Sequence, residues 1–329
     1  MVISYGAIGD FVMLLYFLVS LRVQRTESTR YIVLTTKNAA LLRDIAGAYD
    51  FIEIIPITFS ALVKLWLRAG LKRNLVIIPP TFTDTPSAVG MIAKIFALRG
   101  ILAGFVSCAK TPHLDIHIPF KTHKPMHEQF NSLVEKLGYQ KAQPPQLHFS
   151  EEASLREKIF GQYIVVAPFA SNPGKSLPPE RWQKLFTYLQ ETYPQKNIIL
   201  VGGHADKNTA EMYLSGREHL YNYCGVPFAQ LVSLLRGASC FIGVDSGLTH
   251  VAGVLHVPSV IIDNLRAVTW LPTYNPKAII LTEKKHCVCN GDKTGGDCNY
   301  VINGVSYLRC MYDVSDERIT DAIAETLAL

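Results

Sequence analysis

The chain has 329 residues, 49% hydrophobic and 18% charged, which excludes an intrinsically disordered protein and allows a large core in about two domains. Residues 1–150 carry 16 Lys and Arg against 9 Asp and Glu, a net charge of +7, whereas residues 151–329 carry 16 against 18, a net charge of −2. The basic half indicates an anionic partner (nucleic acid, a phosphorylated glycolipid or a membrane surface), although a solvated surface explains the charge equally well.

Short apolar strands alternate with helical stretches through the first half of the chain. The predicted strands are Val2–Tyr5, Tyr31–Thr35, Ile52–Ile55, Leu75–Ile78 and Leu102–Phe105, and the predicted helices are Asp10–Val23, Ala39–Ala46, Ser60–Leu71 and Ser87–Leu98. This alternation predicts a parallel sheet covered on both faces. The apolar run from Phe11 to Leu21 is about half as long as a membrane span, and no positive charge precedes it, so neither a span nor a signal peptide is expected.

A second alternation follows a helix predicted over Met126–Leu137 and a polar linker over 138–152. The predicted strands are Tyr163–Ala167, Asn197–Val201, Leu220–Tyr223, Cys240–Val244 and Ser259–Ile262. The predicted helices are Pro179–Tyr193, Asn208–Leu214, Pro227–Leu235, Leu248–Leu255 and Asp316–Leu327. The whole pattern predicts an α/β protein of two Rossmann-like domains, residues 1–150 and 151–329, with a cleft between them.

The segment CFIGVDSGLTHVAG predicts an anion site at the start of a helix. Its strand ends at Asp245, and a tight turn opens a helix whose unpaired N–H groups and dipole favour phosphate oxygens. Glycine in the turn allows the backbone to approach the anion, and a hydroxyl and an imidazole add donors. The residues offered to the anion are Ser246, Gly247, Leu248, Thr249 and His250. An ordinary turn with Asp245 or Ser246 as helix cap is an equally weighted alternative.

Two further loops follow strands of the second half. In VAPFASNPGKSLPPERW, Ser171 offers a hydroxyl, and Lys175 offers a cation that would neutralise a pyrophosphate. A long surface loop with a solvated lysine is the alternative. In LVGGHADKN, Gly203 and Asp206 follow a strand at the place where a parallel sheet carries its ligand loops, which is a weak signal by itself.

The first glycine turn, SYGAIGDFVM, differs from these three because a carboxylate ends it. It has neither the Gly-x-Gly-x-x-Gly pattern nor a Walker lysine, and Asp10 would repel a phosphate bound in the same turn. Helix N–H groups favour an ionised carboxylate. Asp10 is therefore interpreted as a general base in a cleft, with a helix cap as the alternative.

Two other groups of residues are candidate sites. Lys64, Arg68 and Lys72 are spaced four apart, which predicts one helix face for an anionic acceptor or simply a solvated charged face. Four cysteines cluster near the C-terminus: Cys287, Cys289, Cys298 and Cys310. Four thiols suit a structural zinc or iron site, but the spacing is not that of a zinc ribbon, so reduced thiols or a disulfide formed on oxidation stay open.

The segments GAIGDFVM, ASNPGKSLPPERW, VGGHADK and GVDSGLTHVAG, in that order, resemble glycosyltransferase family 9, the ADP-heptose:lipopolysaccharide heptosyltransferases. The stretch HEQFNSLVEKLGY resembles the family's segment before its linker, and the resemblance covers nearly the whole chain. It implies a GT-B fold, in which two Rossmann-like domains face each other across a cleft. The acceptor is expected on residues 1–150 and the nucleotide sugar on 151–329, with the last helix, about 316–327, packing back on the N-terminal domain as one further expectation.

The resemblance also implies an activity: inverting transfer of a heptose from ADP-heptose to a Kdo or heptose of the lipopolysaccharide inner core, with no required metal. The residues that match the family's site are Asp10 as base, Ser171 and Lys175 beside the phosphates, Ser246, Gly247, Leu248 and Thr249 at the pyrophosphate, Asp245 towards the sugar and Asp206 as the nearest match to a ribose-contacting acid. Gly9 and the three basic residues above are expected on the acceptor side.

The expected partners are ADP-heptose, an anionic lipopolysaccharide acceptor and the cytoplasmic face of the inner membrane, where a cytoplasmic enzyme would bind peripherally. No nucleic acid partner is expected. Two alternatives stay open at this point. One is a GT-B enzyme that uses another nucleotide sugar for a surface polysaccharide or glycoprotein, and the other is a catalytically silent lipopolysaccharide-binding paralogue.

Overall fold

The computed structural model describes residues 1–4, 7–22, 24, 29–69, 72, 74–78, 87–106, 114–121, 124–140, 147–149, 161–264, 269–283 and 298–328. Its contacts group into two compact units, Met1–Phe149 and Ser150–Leu329. The boundary between them falls inside the predicted linker.

The first unit is built on one parallel sheet. Its described strands are β1 (Val2–Ser4), β2 (Tyr31–Thr35), β3 (Ile52–Pro56), β4 (Leu75–Ile78), β5 (Ile101–Val106) and β6 (Ile116–Pro119), and its described helices are α1 (Ile8–Arg22), α2 (Ala39–Ala46), α3 (Phe59–Ala69), α4 (Ser87–Ala97) and α5 (Met126–Lys136). The strand order is β3-β2-β1-β4-β5-β6. Because β2 and β3 lie on one side of β1 and β4 to β6 on the other, the order reverses at β1. Ligands of such sheets bind beyond the carboxyl ends of the strands at this switch point.

Helix α1 is apolar on every side and belongs to the core, with a continuous buried run from Phe11 to Leu18. Its Phe17 ring stacks on Phe130 of α5, with the ring centroids 4.7 Å apart. None of the described helices is both long and apolar enough to cross a membrane.

The second unit repeats the same plan. Its described strands are β7 (Tyr163–Ala167), β8 (Asn197–Leu200), β9 (Leu220–Asn222), β10 (Cys240–Val244), β11 (Ser259–Ile262) and β12 (Ala278–Leu281), followed by a hairpin of β13 (Asn299–Ile302) and β14 (Val305–Leu308). Its described helices are α6 (Pro179–Thr192), α7 (Lys207–Leu214), α8 (Phe228–Gly237), α9 (Gly247–Val254), α10 (Arg309–Tyr312) and α11 (Asp316–Leu327). The parallel sheet has the order β12-β11-β10-β7-β8-β9, so its switch point lies between β7 and β10.

The predicted α/β alternation is confirmed, but four strands are missing from the prediction: β6, β12 and the two strands of the hairpin. In β6 the exposed His117 alternates with buried or half-buried isoleucines, as in an edge strand. Helix α11 agrees with its predicted bounds. Its Ile319, Ala322 and Ile323 pack into the core of the second unit. The packing of this helix on the N-terminal domain stays a prediction.

Candidate functional site

The switch point of the second sheet brings together two of the predicted loops. Strands β7 and β10 are neighbours in register, with Ala167 paired to Gly243. The chain segments that follow them therefore leave the sheet side by side. Their side chains meet, because Lys175 Nζ donates to Asp245 Oδ2 at 2.7 Å.

The helix that begins after Asp245 has no side-chain cap. Ser246 occupies the N-cap position of α9, but its hydroxyl makes no capping bond. The Ser246 Oγ atom is buried and has no hydrogen-bond partner among the described residues. Asp245 Oδ2 instead accepts from Lys175 and from Asn264 Nδ2. The helix-capping alternative is therefore wrong for the Ser246 side chain, and the first N–H groups of α9 stay available for an anion.

His250 adds a second unsatisfied group to this helix. It is buried, and its Nδ1 atom has no hydrogen-bond partner within the described chain. Burial lowers the pKa of the imidazole to about 4, although the Asp245 carboxylate acts in the opposite direction. A neutral imidazole with an unpaired ring nitrogen lies on the same helix as the orphaned Ser246 hydroxyl. Because buried polar groups are normally paired, both atoms are candidates to contact a polar ligand.

The Thr249 hydroxyl, which was expected to donate to the anion, is used within the protein. Its Oγ1 atom donates to the backbone oxygen of Val244 at 2.6 Å, and the residue is buried. The hydroxyl hydrogen therefore ties the helix to the end of β10. This leaves the backbone N–H groups of Gly247, Leu248 and Thr249 as their contribution to an anion site.

The loop that carries Lys175 is held rigidly. It forms a short 3₁₀ helix, Pro173–Lys175, capped by Asn172, whose Oδ1 accepts from the Gly174 N–H at 3.0 Å. A Cβ atom on Gly174 would lie 2.0 Å from the backbone oxygen of Ser306 in β14, so only glycine fits against the hairpin. The hairpin that the sequence analysis missed therefore sets the position of the lysine.

Asp263 and Asn264 are functional candidates that the sequence analysis also missed. They directly follow β11, and the Asn264 N–H donates to Asp263 Oδ1 at 2.5 Å while its side-chain amide donates to Asp245 at 2.5 Å. Burial and the nearby Asp245 carboxylate raise the pKa of Asp263 well above its usual range. The sequence does contain a signal for them, because these polar residues directly follow an apolar strand, just as Asp245 does.

These contacts leave the site with little net charge of its own. Burial favours the neutral forms of His250 and Asp263, which lie around one ion pair, formed by Lys175 and Asp245. A diphosphate would meet the open helix start and a lysine ammonium without facing a buried, ionised pair of carboxylates. The arrangement therefore suits the reversible binding of an anion.

Replacing Asp263 with asparagine is expected to raise the melting temperature by an increment that grows as the pH rises above 3.8. Above that pH the unfolded wild-type chain releases the proton while the folded protein keeps it. Each pH unit then costs the wild type about 1.4 kcal/mol of unfolding free energy, until the folded pKa is reached. His250 has the opposite dependence, since its lowered pKa makes stability fall on acidification below 6.5, but it is present in both proteins and cancels.

Thermal unfolding of both proteins across the acidic to neutral range measures this increment. Asp50→Asn, at an exposed aspartate, is the matched control for replacing a carboxylate with an amide. An Asp263→Asn increment that is the same at every pH would contradict a protonated Asp263 in the folded protein.

The remaining predicted donor residues lie at the carboxyl ends of β7 and β8. Ser171 is exposed at the start of the lysine loop. Asp206 Oδ2 accepts from the Gly203 N–H at 2.7 Å, so one carboxylate oxygen serves its own turn. The contact of Asp206 with a ribose stays a prediction.

In the first unit, Asp10 lies in the first turn of α1, which begins soon after β1 ends. It is half-buried, and Gly9 beside it is buried. Because β1 is the strand at which the order reverses, Asp10 occupies the ligand-binding edge of the first sheet. Residues 5 and 6 of the glycine turn lie outside the described residues.

The three predicted acceptor cations do not share one helix face. Helix α3 ends at Ala69, so Lys72 lies beyond it, and that part of the prediction is wrong. Arg68 forms a two-pronged ion pair with Glu53, with N–O distances of 2.7 and 3.1 Å. Lys64 and Arg68 line a groove of about 710 Å³ beside the edge strand β3, and Asp10 is not among its lining residues.

Only two of the four cysteines of the predicted metal site are among the described residues. Cys287 and Cys289 lie outside the described residues, whereas Cys298 and Cys310 are buried in the second unit near the hairpin. No group of three or more metal-ligating side chains occurs within the described part of the chain. The zinc or iron site therefore stays a prediction.

Comparison with known proteins identifies the family. The model described as glycosyltransferase family 9 (heptosyltransferase) matches residues 111–295, and no curated protein is a significant match to the sequence. Among solved structures, a family 9 glycosyl transferase from Veillonella parvula has a TM-score of 0.76 at 16% identity, covering 99% of this chain and 96% of that one. E. coli ADP-heptose lps heptosyltransferase II has a TM-score of 0.72 at 18% identity, covering 99% and 98%.

A third similar structure carries a donor analogue. E. coli heptosyltransferase WaaC with ADP-2-deoxy-2-fluoro heptose has a TM-score of 0.64 at 16% identity, covering 98% of both chains. At these identities the likeness concerns the fold, which is the predicted α/β GT-B type with parallel sheets.

Proposed function

Because this chain belongs to glycosyltransferase family 9, we propose that it transfers a heptose from ADP-heptose to a sugar of the lipopolysaccharide inner core. Membership of the family makes it a glycosyltransferase. The donor, the acceptor and the roles of individual residues are the proposal.

One observation carries the donor part of this proposal: the uncapped start of α9 beside Lys175. The buried Ser246 hydroxyl and the His250 Nδ1 atom have no partner in the described chain. Lys175 is 2.7 Å from Asp245, directly before that helix start. Backbone N–H groups, a helix dipole and one ammonium form a site for the diphosphate of a nucleotide sugar. The WaaC structure supports the choice of ADP-heptose, since it holds an ADP-linked heptose analogue.

The proposed reaction is a direct displacement. An acceptor hydroxyl oxygen attacks the anomeric carbon of the heptose, and the bond from that carbon to the β-phosphate oxygen breaks. The electron pair of this bond leaves with ADP, so negative charge grows on the diphosphate. The start of α9 and Lys175 stabilise that charge, which speeds the departure of ADP. No metal is required in this scheme.

Asp10 is assigned as the general base. It accepts the proton of the attacking hydroxyl, which makes that oxygen a better nucleophile. Its place in the first turn of α1, at the switch point of the first sheet, supports this role. Gly9, Lys64, Arg68 and Lys72 belong to the acceptor side of the proposal, with Arg68 needing to exchange its Glu53 partner for an acceptor anion.

Isothermal titration with ADP, UDP and GDP tests the donor. We expect ADP to bind at least tenfold more tightly than the other two, a difference of about 1.4 kcal/mol in binding free energy. In the same titration, Asp206→Asn tests the proposed contact of this carboxylate with the ribose of ADP. The variant Lys184→Met, at an exposed lysine, is its control. A clear preference for UDP or GDP would replace the proposal with a glycosyltransferase that uses another nucleotide sugar.

The acceptor is expected to reach the enzyme at the cytoplasmic face of the inner membrane. An anionic, lipid-linked acceptor agrees with the net charge of +7 on residues 1–150. A peripheral enzyme would bind this surface without spanning it.

A further inference from the structure

Two helices of the first unit expose large apolar side chains. Eleven such side chains are exposed among the described residues, and seven of them lie on α3, on α4 or, for the last one, directly after α4: Phe59, Val63, Trp66, Leu67, Met91, Ile95 and Leu98. We call these seven the α3-α4 surface. Single exposed apolar residues need no explanation, but a cluster of this size on one unit marks an interaction site.

The spacing gathers each set into a stripe. On α3 the exposed residues follow the pattern i, i+4, i+7 and i+8 from Phe59. On α4 Met91 and Ile95 follow i and i+4, and Leu98 comes one residue after the helix ends. Such residues share one side of a helix. Phe59 is 86% exposed, Leu67 75% and Leu98 74%, so each stripe points to solvent and not into the core.

Both stripes lie on the same side of the first unit. Leu65 of α3 and Ala93 and Phe96 of α4 are buried in one core cluster together with Val76 of β4. The two helices therefore cover the same face of the sheet, and their opposite sides, which carry the stripes, look outwards together.

The charge around this surface is almost all positive. Between Glu53 and Asp115 the sequence has seven Lys and Arg residues and a single acid, Asp84. The exposed cations on or next to the two helices are Lys64, Arg68, Lys72, Lys94 and Arg99. Arg68 is paired with Glu53, whereas neither helix carries an acidic residue. An apolar centre with a basic rim is complementary to a surface that is apolar below and anionic above.

We infer that the α3-α4 surface docks on an anionic lipid bilayer, with the apolar side chains among the acyl chains and the cations at the headgroups. Trp66 suits this boundary, because its ring is apolar while its N–H is polar. The surface also reaches the carboxyl edge of the first sheet, where Asp10 lies. Phe59 begins α3 just after β3 ends, and Asp10 follows the end of the parallel strand β1, so both occupy the carboxyl edge of one sheet. A bilayer at Phe59 would bring a lipid-linked acceptor to that edge.

Flotation with vesicles tests this inference. Wild-type protein is expected to float with vesicles of equal parts phosphatidylethanolamine and phosphatidylglycerol, and to bind phosphatidylcholine vesicles at least tenfold less. The variant Phe59→Ser/Leu67→Ser/Leu98→Ser should lose about tenfold or more of the binding to anionic vesicles. Met212→Ser/Val301→Ser removes two side chains that are 74% and 72% exposed in the second unit, and this matched control should bind within about twofold of wild type.

A second measurement does not depend on that variant. Brominated phosphatidylglycerol should quench Trp66 fluorescence, and Trp66→Phe should abolish most of the quenching while leaving flotation intact. The other two tryptophans, Trp182 and Trp270, lie in the second unit, and Trp182 is fully buried.

Equal binding to both vesicle types, unchanged flotation of the triple serine variant, or an unquenched Trp66 would overturn the inference. A wild-type dimer in sedimentation that becomes a monomer in the variant, without vesicle binding, would assign the surface to a second copy instead. The inference rests on the proposed function only for the lipid-linked acceptor. Vesicle binding can be measured without any donor. If vesicle binding fails while transfer to a water-soluble acceptor is normal, only this inference is removed. If the protein binds vesicles but transfers no heptose, only the proposed function is removed.

Discussion

Replacing Asp10 with asparagine is expected to lower kcat for heptose transfer by about 10²–10⁴-fold, the range typical of a lost general base. Asparagine has nearly the same shape and keeps the start of α1, but it cannot accept the proton of the acceptor hydroxyl. The Kd for ADP should stay the same, because the residues of the proposed diphosphate site belong to the second unit. Transfer assays at saturating donor and ADP titrations measure the two quantities separately.

The pH profile gives a readout that a merely structural role would not move. The wild-type rate should fall on acidification as the base becomes protonated, and this limb should be absent from the residual rate of Asp10→Asn. Asp50→Asn, at an exposed position in the same unit, is the matched control and should retain wild-type kinetics. A kcat within about threefold of wild type in Asp10→Asn would remove Asp10 as the base.

Replacing Lys175 with methionine should both weaken ADP binding and lower kcat by about 10²–10³-fold, because one preorganised donor to the growing charge is lost. Methionine keeps the length of the side chain but removes the ammonium. The loss also leaves the half-buried Asp245 carboxylate without its cation, 2.7 Å away in the wild type. A diphosphate entering the site would then meet an uncompensated negative charge.

The double variant Lys175→Met/Asp245→Asn separates these two causes. It removes the uncompensated carboxylate as well, so it should recover part of the ADP affinity but not kcat, since the leaving group still lacks its donor. Lys184→Met is the control for removing an exposed lysine from the same unit. Unchanged ADP affinity and kcat in Lys175→Met would exclude the lysine from the donor site.

The fold was largely predictable because its signals are local. Alternating apolar strands and helices identified the parallel sheets, and the Asp-Ser-Gly turn after Val244 identified the helix that begins at Gly247. The order of strands is not written in any local pattern. The pairing of β7 with β10, which brings Lys175 to Asp245, came from the structure.

What the sequence did not yield depended on packing between distant segments. Asn264 reaches Asp245 only because β11 lies beside β10, and Gly174 is required only because the backbone of Ser306 lies against it. The same holds for surface residues. The sequence of α3 shows apolar residues on more than one side, but the burial of Leu65 decides which side is the core and which is left to solvent.

The account is tested most directly by one transfer assay. Truncated lipopolysaccharide that ends in Kdo, or in a single heptose, is incubated with the enzyme and ADP-heptose, and the products are identified by mass spectrometry. We predict that one of these acceptors gains a single heptose while ADP is released, and that Asp10→Asn lowers the rate of product formation by about 10²-fold or more. No product on either acceptor, together with transfer from a different nucleotide sugar, would contradict the proposed function.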